Sequence, residues 1–293
     1  MRSAKHLLVL VTVLLLPVAL LAQGLDVSKI DQVLGRPGQK MGEVYRVGFP
    51  RTDLHVMVGG LAIKPGLALG SWAAFSGTDN AASVMGDLVL LEGEINPVME
   101  KLRAAGFEIT AVHNHLLGAM PPVLYMHYMG HGSVGEIANS LQAALQASKT
   151  PLGKPAPGAA EPPTSPDWVK TIEDTLGRKG NFKGGVLGYG VPRAEGISMS
   201  GMSLMPAQGV AESINFQEAG SGEVATTGDF VLTAGEVNPV ISALEQNHIA
   251  VTALHSHMLT EEPRLFFMHF WAVGSPGSVA GGIKAALSHV ATK

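Results

Sequence analysis

The chain is one unit written twice. Gly86-Asp87 recurs 142 residues later as Gly228-Asp229. The same offset carries Leu34-Gly35-Arg36 onto Leu176-Gly177-Arg178 and Pro50-Arg51 onto Pro192-Arg193. It also carries Gly93-Glu94 and Asn96-Pro97-Val98 onto Gly235-Glu236 and Asn238-Pro239-Val240. An internal repeat of this kind obliges both copies to take one topology, so any fold proposed for one must hold for the other. One copy spans residues 26–147 and the other 168–290. Between them, residues 148–167 hold six prolines, a composition that reads as an extended, semi-rigid linker with no core of its own.

Within each copy the hydrophobic period alternates between helix and strand in the same order. Residues 28–34 and 169–176 read as short helices closed by Gly35 and Gly177. Strands are expected at 43–49, 67–75 and 87–91, then at 107–115 and 122–129. The second copy repeats them at 197–204, 212–216, 229–233, 249–257 and 264–271. Asn96-Pro97 and Asn238-Pro239 suit an N-cap followed by proline at the first helical position, which places helices at 97–105 and 239–246. Each copy closes on an amphipathic helix, apolar at Val134, Ile137, Leu141 and Leu145 and at Val279, Ile283 and Leu287. Hairpin-built strands interrupted by helices indicate α+β: two pseudo-symmetric lobes, each a mainly antiparallel sheet with helices on one face.

Hydrophobic residues make up 46% and charged residues 15% of the 293, enough apolar material for packed cores, which excludes a disordered chain. The formal charge is −4 with no basic run, so a nucleic-acid partner has no electrostatic footprint. Cysteine is absent, which leaves His, carboxylate and Met as the only metal ligands. Arg2 and Lys5 precede an apolar run from Leu7 to Ala22 that Pro17 interrupts. This is the pattern of a secretory signal peptide over residues 1–22, too short for a spanning helix. The expectation is a secreted or periplasmic protein with no stable membrane span once the signal is removed.

Six of the eleven histidines sit at repeat-matched positions: His113, His115 and His127, and His255, His257 and His269. Strand alternation places Phe107, Ile109, Ala111, His113 and His115 on one face, an apolar stripe ending in two imidazoles. A hairpin pairing residue 113 with 127 would bring His127 to the same side, close enough for one ion to bridge the rings. Three imidazoles with an open fourth position form the usual catalytic arrangement for a divalent transition metal, zinc first, with copper or manganese as alternatives. Glu94 and Glu236, each in Gly-Glu-x-Asn-Pro, are the candidate fourth ligands or general bases. A capping box at Thr233-Ala-Gly-Glu236 is the competing role, against which stands Pro239, two turns into a helix begun at Thr233. Met199, Met202 and Met205 offer thioethers to soft copper, but the first copy has Met57, Gly60 and Ile63 in their place, so the run is not a feature of the repeat.

Two function classes follow. One is a secreted transition-metal-binding protein that acts as a metal-dependent hydrolase on envelope or extracellular material. The other is a non-catalytic ligand-binding or structural envelope module whose histidines knit the sheet together. In either class the partner is a small molecule or an envelope component.

Through Gly86-Asp87, the Gly-Glu-x-Asn-Pro-Val segments, Thr110–His115 (TAVHNH), Thr252–His257 (TALHSH) and Arg264–Trp271 (RLFFMHFW), the chain resembles the LppY/LpqO family of bacterial secreted proteins. The likeness covers essentially the whole chain after the signal. It implies an envelope or secreted location and brings no activity or ligand with it. Members of that family are lipoproteins, whereas the signal here ends in Gln23 with no cysteine to accept a lipid.

Overall fold

The computed structural model describes residues 24–154 and 165–293. The expected signal peptide and half of the linker, residues 155–164, lie outside them. The first copy runs α1 (Val27–Leu34), β1 (Gln39–Met41), β2 (Val44–Pro50), β3 (Met57–Val58), β4 (Leu61–Ala62) and α2 (Pro65–Ala68). It continues through β5 (Gly70–Thr78), β6 (Ala81–Leu91), α3 (Glu92–Ala104), β7 (Glu108–His113), β8 (Val123–Gly132) and α4 (Val134–Leu145). The second copy runs α5 (Asp167–Leu176), β9 (Asn181–Lys183), β10 (Val186–Pro192), β11 (Ile197–Met199), β12 (Met202–Leu204) and a 3-10 turn at Pro206–Gln208. It closes with β13 (Ala211–Gly220), β14 (Glu223–Leu232), α6 (Ala234–Gln246), β15 (Ala250–His255), β16 (Glu261–Glu262), β17 (Phe266–Gly274) and α7 (Pro276–Leu287).

Each copy builds its own six-stranded antiparallel sheet, in the orders β1-β2-β5-β6-β8-β7 and β9-β10-β13-β14-β17-β15. The class is α+β in two matching lobes, as the repeat requires. Side-chain alternation sorts each sheet into two faces. In the first copy Val84, Leu88, Leu90, Met126 and Tyr128 pack under α1, α3 and α4 through Ile30, Leu34, Val98, Leu102, Ile137 and Leu141. The opposite face carries Met85, Val89, Tyr125 and Met129, and these meet residues of the second copy: Val231 and Phe267 at one end, Val186 and Trp271 at the other. The two sheets therefore turn their helix-free faces toward each other, and the helices cover the outside.

Long connections lock the lobes together. The segment between β2 and β5 crosses to the second sheet, where Gln217 Oε1 accepts from the Lys64 backbone N–H (2.9 Å) and Gln217 Nε2 donates to the Ala62 carbonyl (2.8 Å). The matching segment between β10 and β13 crosses back. Arg46 Nη1 donates to the Ala207 carbonyl (2.9 Å) and Gln208 Nε2 to Ser76 Oγ (3.3 Å).

Several boundaries differ from the sequence reading. The expected strand 67–75 begins with a helical turn, α2, before β5. The stretch 197–204 is a tight hairpin turning at Ser200 and Gly201, both left-handed at φ 51° and 77°. The helices expected to begin at Pro97 and Pro239 begin about one turn earlier, at Glu92 and Ala234. Proline is tolerated there because so near the N-terminus its ring forfeits only one intrahelical bond, and the glutamate at the third position caps the free amides.

Candidate metal centre

The face that bears the histidines is set by a bulge. At the start of β7, Ile109 pairs with Tyr128, both on the helix side. After one unpaired residue, Thr110, Ala111 pairs with His127 and His113 with Tyr125. The extra residue flips the strand's alternation, so His113 points away from the face that Ile109 occupies. The stripe expected from Phe107 to His115 is thus split: Phe107 and Ile109 serve the helix-side core, and only Ala111 onward faces inward. In the second copy Thr252 makes the same bulge, with Val251 opposite Phe270 and Ala253 opposite His269. The expected pairing of 113 with 127 is off by two residues, an even slip that preserves the face.

The six histidines do not form two centres. Across the lobe interface, ring centroids lie 3.7 Å apart for His113 and His255, 3.6 Å for His115 and His269, and 3.7 Å for His127 and His257. Within a copy the separations are longer, 4.9 Å for His113–His115, 5.1 Å for His113–His127 and 4.9 Å for His255–His269. Each imidazole is therefore nearest to one from the other copy, and the two trios merge into one cluster between the sheets. One nitrogen each from His113, His255, His257 and His269 lies within 4.8 Å of all the others. Four ligands of a tetrahedral zinc stand about 3.4 Å apart, so the widest pair of this set must close by up to about 1.4 Å to hold an ion.

The Nε2 atoms of all six histidines, and Nδ1 of His255, are buried without a hydrogen-bond partner among the described residues. Burial and then neighbouring imidazoles depress the ring pKa values of His113, His115, His127 and His257, and bring His255 down to about 4. Neutral imidazoles with free nitrogens are the ligating form. His115 stacks on Tyr125 at 3.3 Å and His257 on Phe267, the matching residue, at 3.7 Å.

The acidic neighbours are Asp87 and Asp229, opposite His127 and His269 in the sheet ladders. Asp229 Oδ1 lies 2.8 Å from His269 Nδ1, which also faces the Gly228 carbonyl at 3.0 Å. The Gly228 carbonyl is the hydrogen-bond partner of Nδ1, and Nε2 is left without one among the described residues. Asp87 Oδ1 stands 3.8 Å from His127 Nε2, and burial, then Asp229, pushes its carboxyl well up. The sequence marked these aspartates only as part of the repeated Gly-Asp pair. The strand pairing of β6 with β8, invisible without a register, is what makes them part of the site. Their glycines keep the strands close: a Cβ on Gly86 would strike the Tyr128 hydroxyl and the Trp72 carbonyl, and one on Gly228 the Ser213 carbonyl.

Glu94 and Glu236 are engaged elsewhere. Glu94 accepts from Arg51 Nη1 (2.7 Å), the Leu91 N–H (2.9 Å) and the Lys149 N–H (2.8 Å). Glu236 accepts from Arg193 Nη2 (3.0 Å), the Thr233 N–H (2.7 Å) and the Ala291 N–H (2.9 Å). Burial opposes ionisation of both, but the arginine and backbone donors win and hold their pKa values low. Neither forms an ion pair with an imidazole among the described residues. The capping role given second place to Glu236 is the one it fills, and the expected general base beside the histidines is not supplied by either glutamate. The methionine run also disperses: Met199 is core, while Met202 and Met205 are exposed.

Two cavities of about 220 and 250 Å³ flank the cluster. Both are lined by Arg46, Trp72, Asp87, Ser213 and Asp229, the first reaching His115 and the second His127 and His257.

No curated protein matches the chain. Among solved structures it is similar to the trimeric bacterial microcompartment shell protein PduB, at 11% identity over 86% of this chain and 89% of that one, with a TM-score of 0.21. EtuB from Clostridium kluyveri matches at 10% identity over 85% and 90%, with a TM-score of 0.19. These TM-scores carry no argument about fold or function. A family match covers residues 28–147 and again 170–289, one per lobe, each contributing three histidines. The chain belongs to the family described as Domain of Unknown Function (DUF1259), in two tandem copies.

Proposed function

We propose that this is a secreted transition-metal-binding protein whose two copies share one divalent-metal centre, and that the centre serves metal-dependent hydrolysis of a small molecule of the envelope or its surroundings. The observation that carries the reading is the set of seven buried imidazole nitrogens without a protein partner. Each unsatisfied buried polar group costs about 1–3 kcal/mol, so a cluster of them is expected only where something else fills the coordination. His113, His255, His257 and His269 are the first set of ligands, with His115 and His127 beside them.

Zinc is the leading ion, because neutral imidazoles backed by a carboxylate suit it, with copper and manganese as alternatives. With three of these imidazoles bound and the fourth position left open, a zinc ion would supply an acidified water at neutral pH. The Gly228 carbonyl orients His269, Asp229 and Asp87 offer carboxyls on the two sides, and the flanking cavities give a small substrate access. The signal-like N-terminus and the resemblance to the LppY/LpqO family support the secreted location.

The test is metal analysis of protein purified without a histidine tag. One equivalent of transition metal per chain, lost in His113→Ala/His255→Ala with the fold retained, is the expected result. A metal-free protein with no thermal shift on adding zinc, copper or manganese would instead assign the histidines to the core of a non-catalytic envelope module.

A further inference from the structure

The two copies differ at the mouth of the shared centre, and the difference is a charge. On β2, Arg46 points to the inner face; its counterpart on β10 is Gly188. On β5, Trp72 stands opposite Gly48, where the second copy has Ser213 opposite Gly190. Arg46 lies over the Trp72 ring, its guanidinium carbon 4.0 Å from the centroid, and Nη1 donates to the Ala207 carbonyl. It makes no ion pair among the described residues and lines both cavities beside the histidines. Space at Gly188 is taken by Asn215, whose Oδ1 would lie 2.9 Å from an added Cβ. Among the described residues lining the two cavities, Arg46 is thus the one cation, and it stands on one side only.

From this asymmetry we infer that the centre takes a small oxyanion-bearing substrate, a carboxylate or a phosphate, whose anionic group rests on Arg46 while the rest of the molecule reaches the histidine cluster. The inference rests on the metal-centre reading above and names the substrate class for it. A planar guanidinium held by stacking and by one backbone acceptor keeps its remaining N–H fork free for an oxyanion. Ser213, Asn215 and Thr227 add neutral hydrogen-bonding groups to the first cavity. At about 220–250 Å³ the cavities fall below the usual range for drug-sized ligands, which limits the substrate to a small molecule.

The experiment titrates zinc-loaded and metal-free protein by calorimetry with acetate, lactate, inorganic phosphate and glycerol 3-phosphate, with acetamide and glycerol as neutral controls. Metal content is measured separately on every sample. The expected result is saturable binding of at least one anion class and none of the neutral compounds, weakened at least tenfold in Arg46→Gln. Arg46→Lys should keep part of the affinity, and both variants should hold as much zinc as the parent. The carboxylate and phosphate arms decide which oxyanion is preferred. Parent-like anion affinity in Arg46→Gln, or no anion binding to loaded protein, overturns the inference while leaving the metal centre standing. Protein that takes up no metal overturns the metal reading. In that case Arg46-dependent anion binding to metal-free protein still supports the anion site, and its absence removes both.

Discussion

His113 and His255 face each other across the lobe interface with ring centroids 3.7 Å apart, closer than either lies to any histidine of its own copy. The pair stands where the two repeats meet, so neither copy owns the centre.

A shared centre fails as a whole. With two independent sites, His257→Ala would leave half of the metal bound. Here it is expected to remove most of it, as is His269→Ala, although the first-copy trio is intact in both. Metal-to-protein ratios on refolded and desalted variants check this; retention of half the metal would point to separate sites.

The metal-free protein should lose stability in acid. In the folded state His255 is depressed to about 4, and burial lowers His115, His127 and His257 as well. On unfolding each returns to roughly 6.5, so below that pH the unfolded chain binds protons that the folded chain does not. Stability from these groups is complete above about pH 6.5 and drains away as the pH falls toward the folded values. Urea midpoints of the apoprotein should therefore drop between about pH 7 and pH 5, and excess zinc at pH 7 should raise them.

Glu94 and Glu236 should prove to be stability residues. Leaving a buried charge wholly unmatched costs about 3–5 kcal/mol, and removing one of several partners costs a part of that. Glu94→Gln leaves the fully buried Arg51 with Asp53 as its remaining carboxylate partner, and Glu236→Gln leaves Arg193 with Glu195 and, at 3.9 Å, Glu212. Both variants are expected to melt early yet bind the parent's complement of metal. A variant of normal stability that has lost metal would return these residues to the centre.

The glycine before each aspartate should tolerate no side chain. Gly228→Ala drives a methyl onto the Ser213 carbonyl, a backbone atom held in the β13–β14 ladder. Overpacking of this kind costs about 1–3 kcal/mol, and here it also displaces Asp229 from His269. Reduced melting temperature together with weakened metal binding is the expected signature.

Much of this was legible in the sequence, and the failures have specific causes. The offset that aligns His113 with His255 also aligns strands, helices and caps, so lobe number, order and α+β class followed from it. Parity brought His113 and His127 to one face even though the pairing lies two residues from the expected one. The bulges at Thr110 and Thr252 were hidden, because an unpaired residue leaves no mark on a hydrophobic pattern. The helix starts were misplaced because Pro97 and Pro239 imitate a first helical position, while the actual N-caps include Leu91, which has no capping side chain. Most of all, the imidazoles closest to His115 and His127 lie in the other copy. Contacts between lobes depend on how two finished sheets are laid together, which no local period encodes.

The crossing segments give cleavage an unusual expected outcome. A protease cut within residues 148–167 should yield two fragments that still elute together, since Gln217 holds one segment and Arg46 the other. They should part only in denaturant; separation under native conditions would show that the interface is weaker than its contacts imply.

A centre lying between two like halves has the geometry of an isologous dimer. Each half presents the same three imidazoles to the other, so a single copy able to pair with itself would already assemble all six. Joining the halves in one chain adds what a symmetric pair cannot have, the freedom to change one side alone. Arg46 against Gly188 and Tyr125 against Phe267 are changes of that kind, and in a symmetric assembly each would have appeared twice.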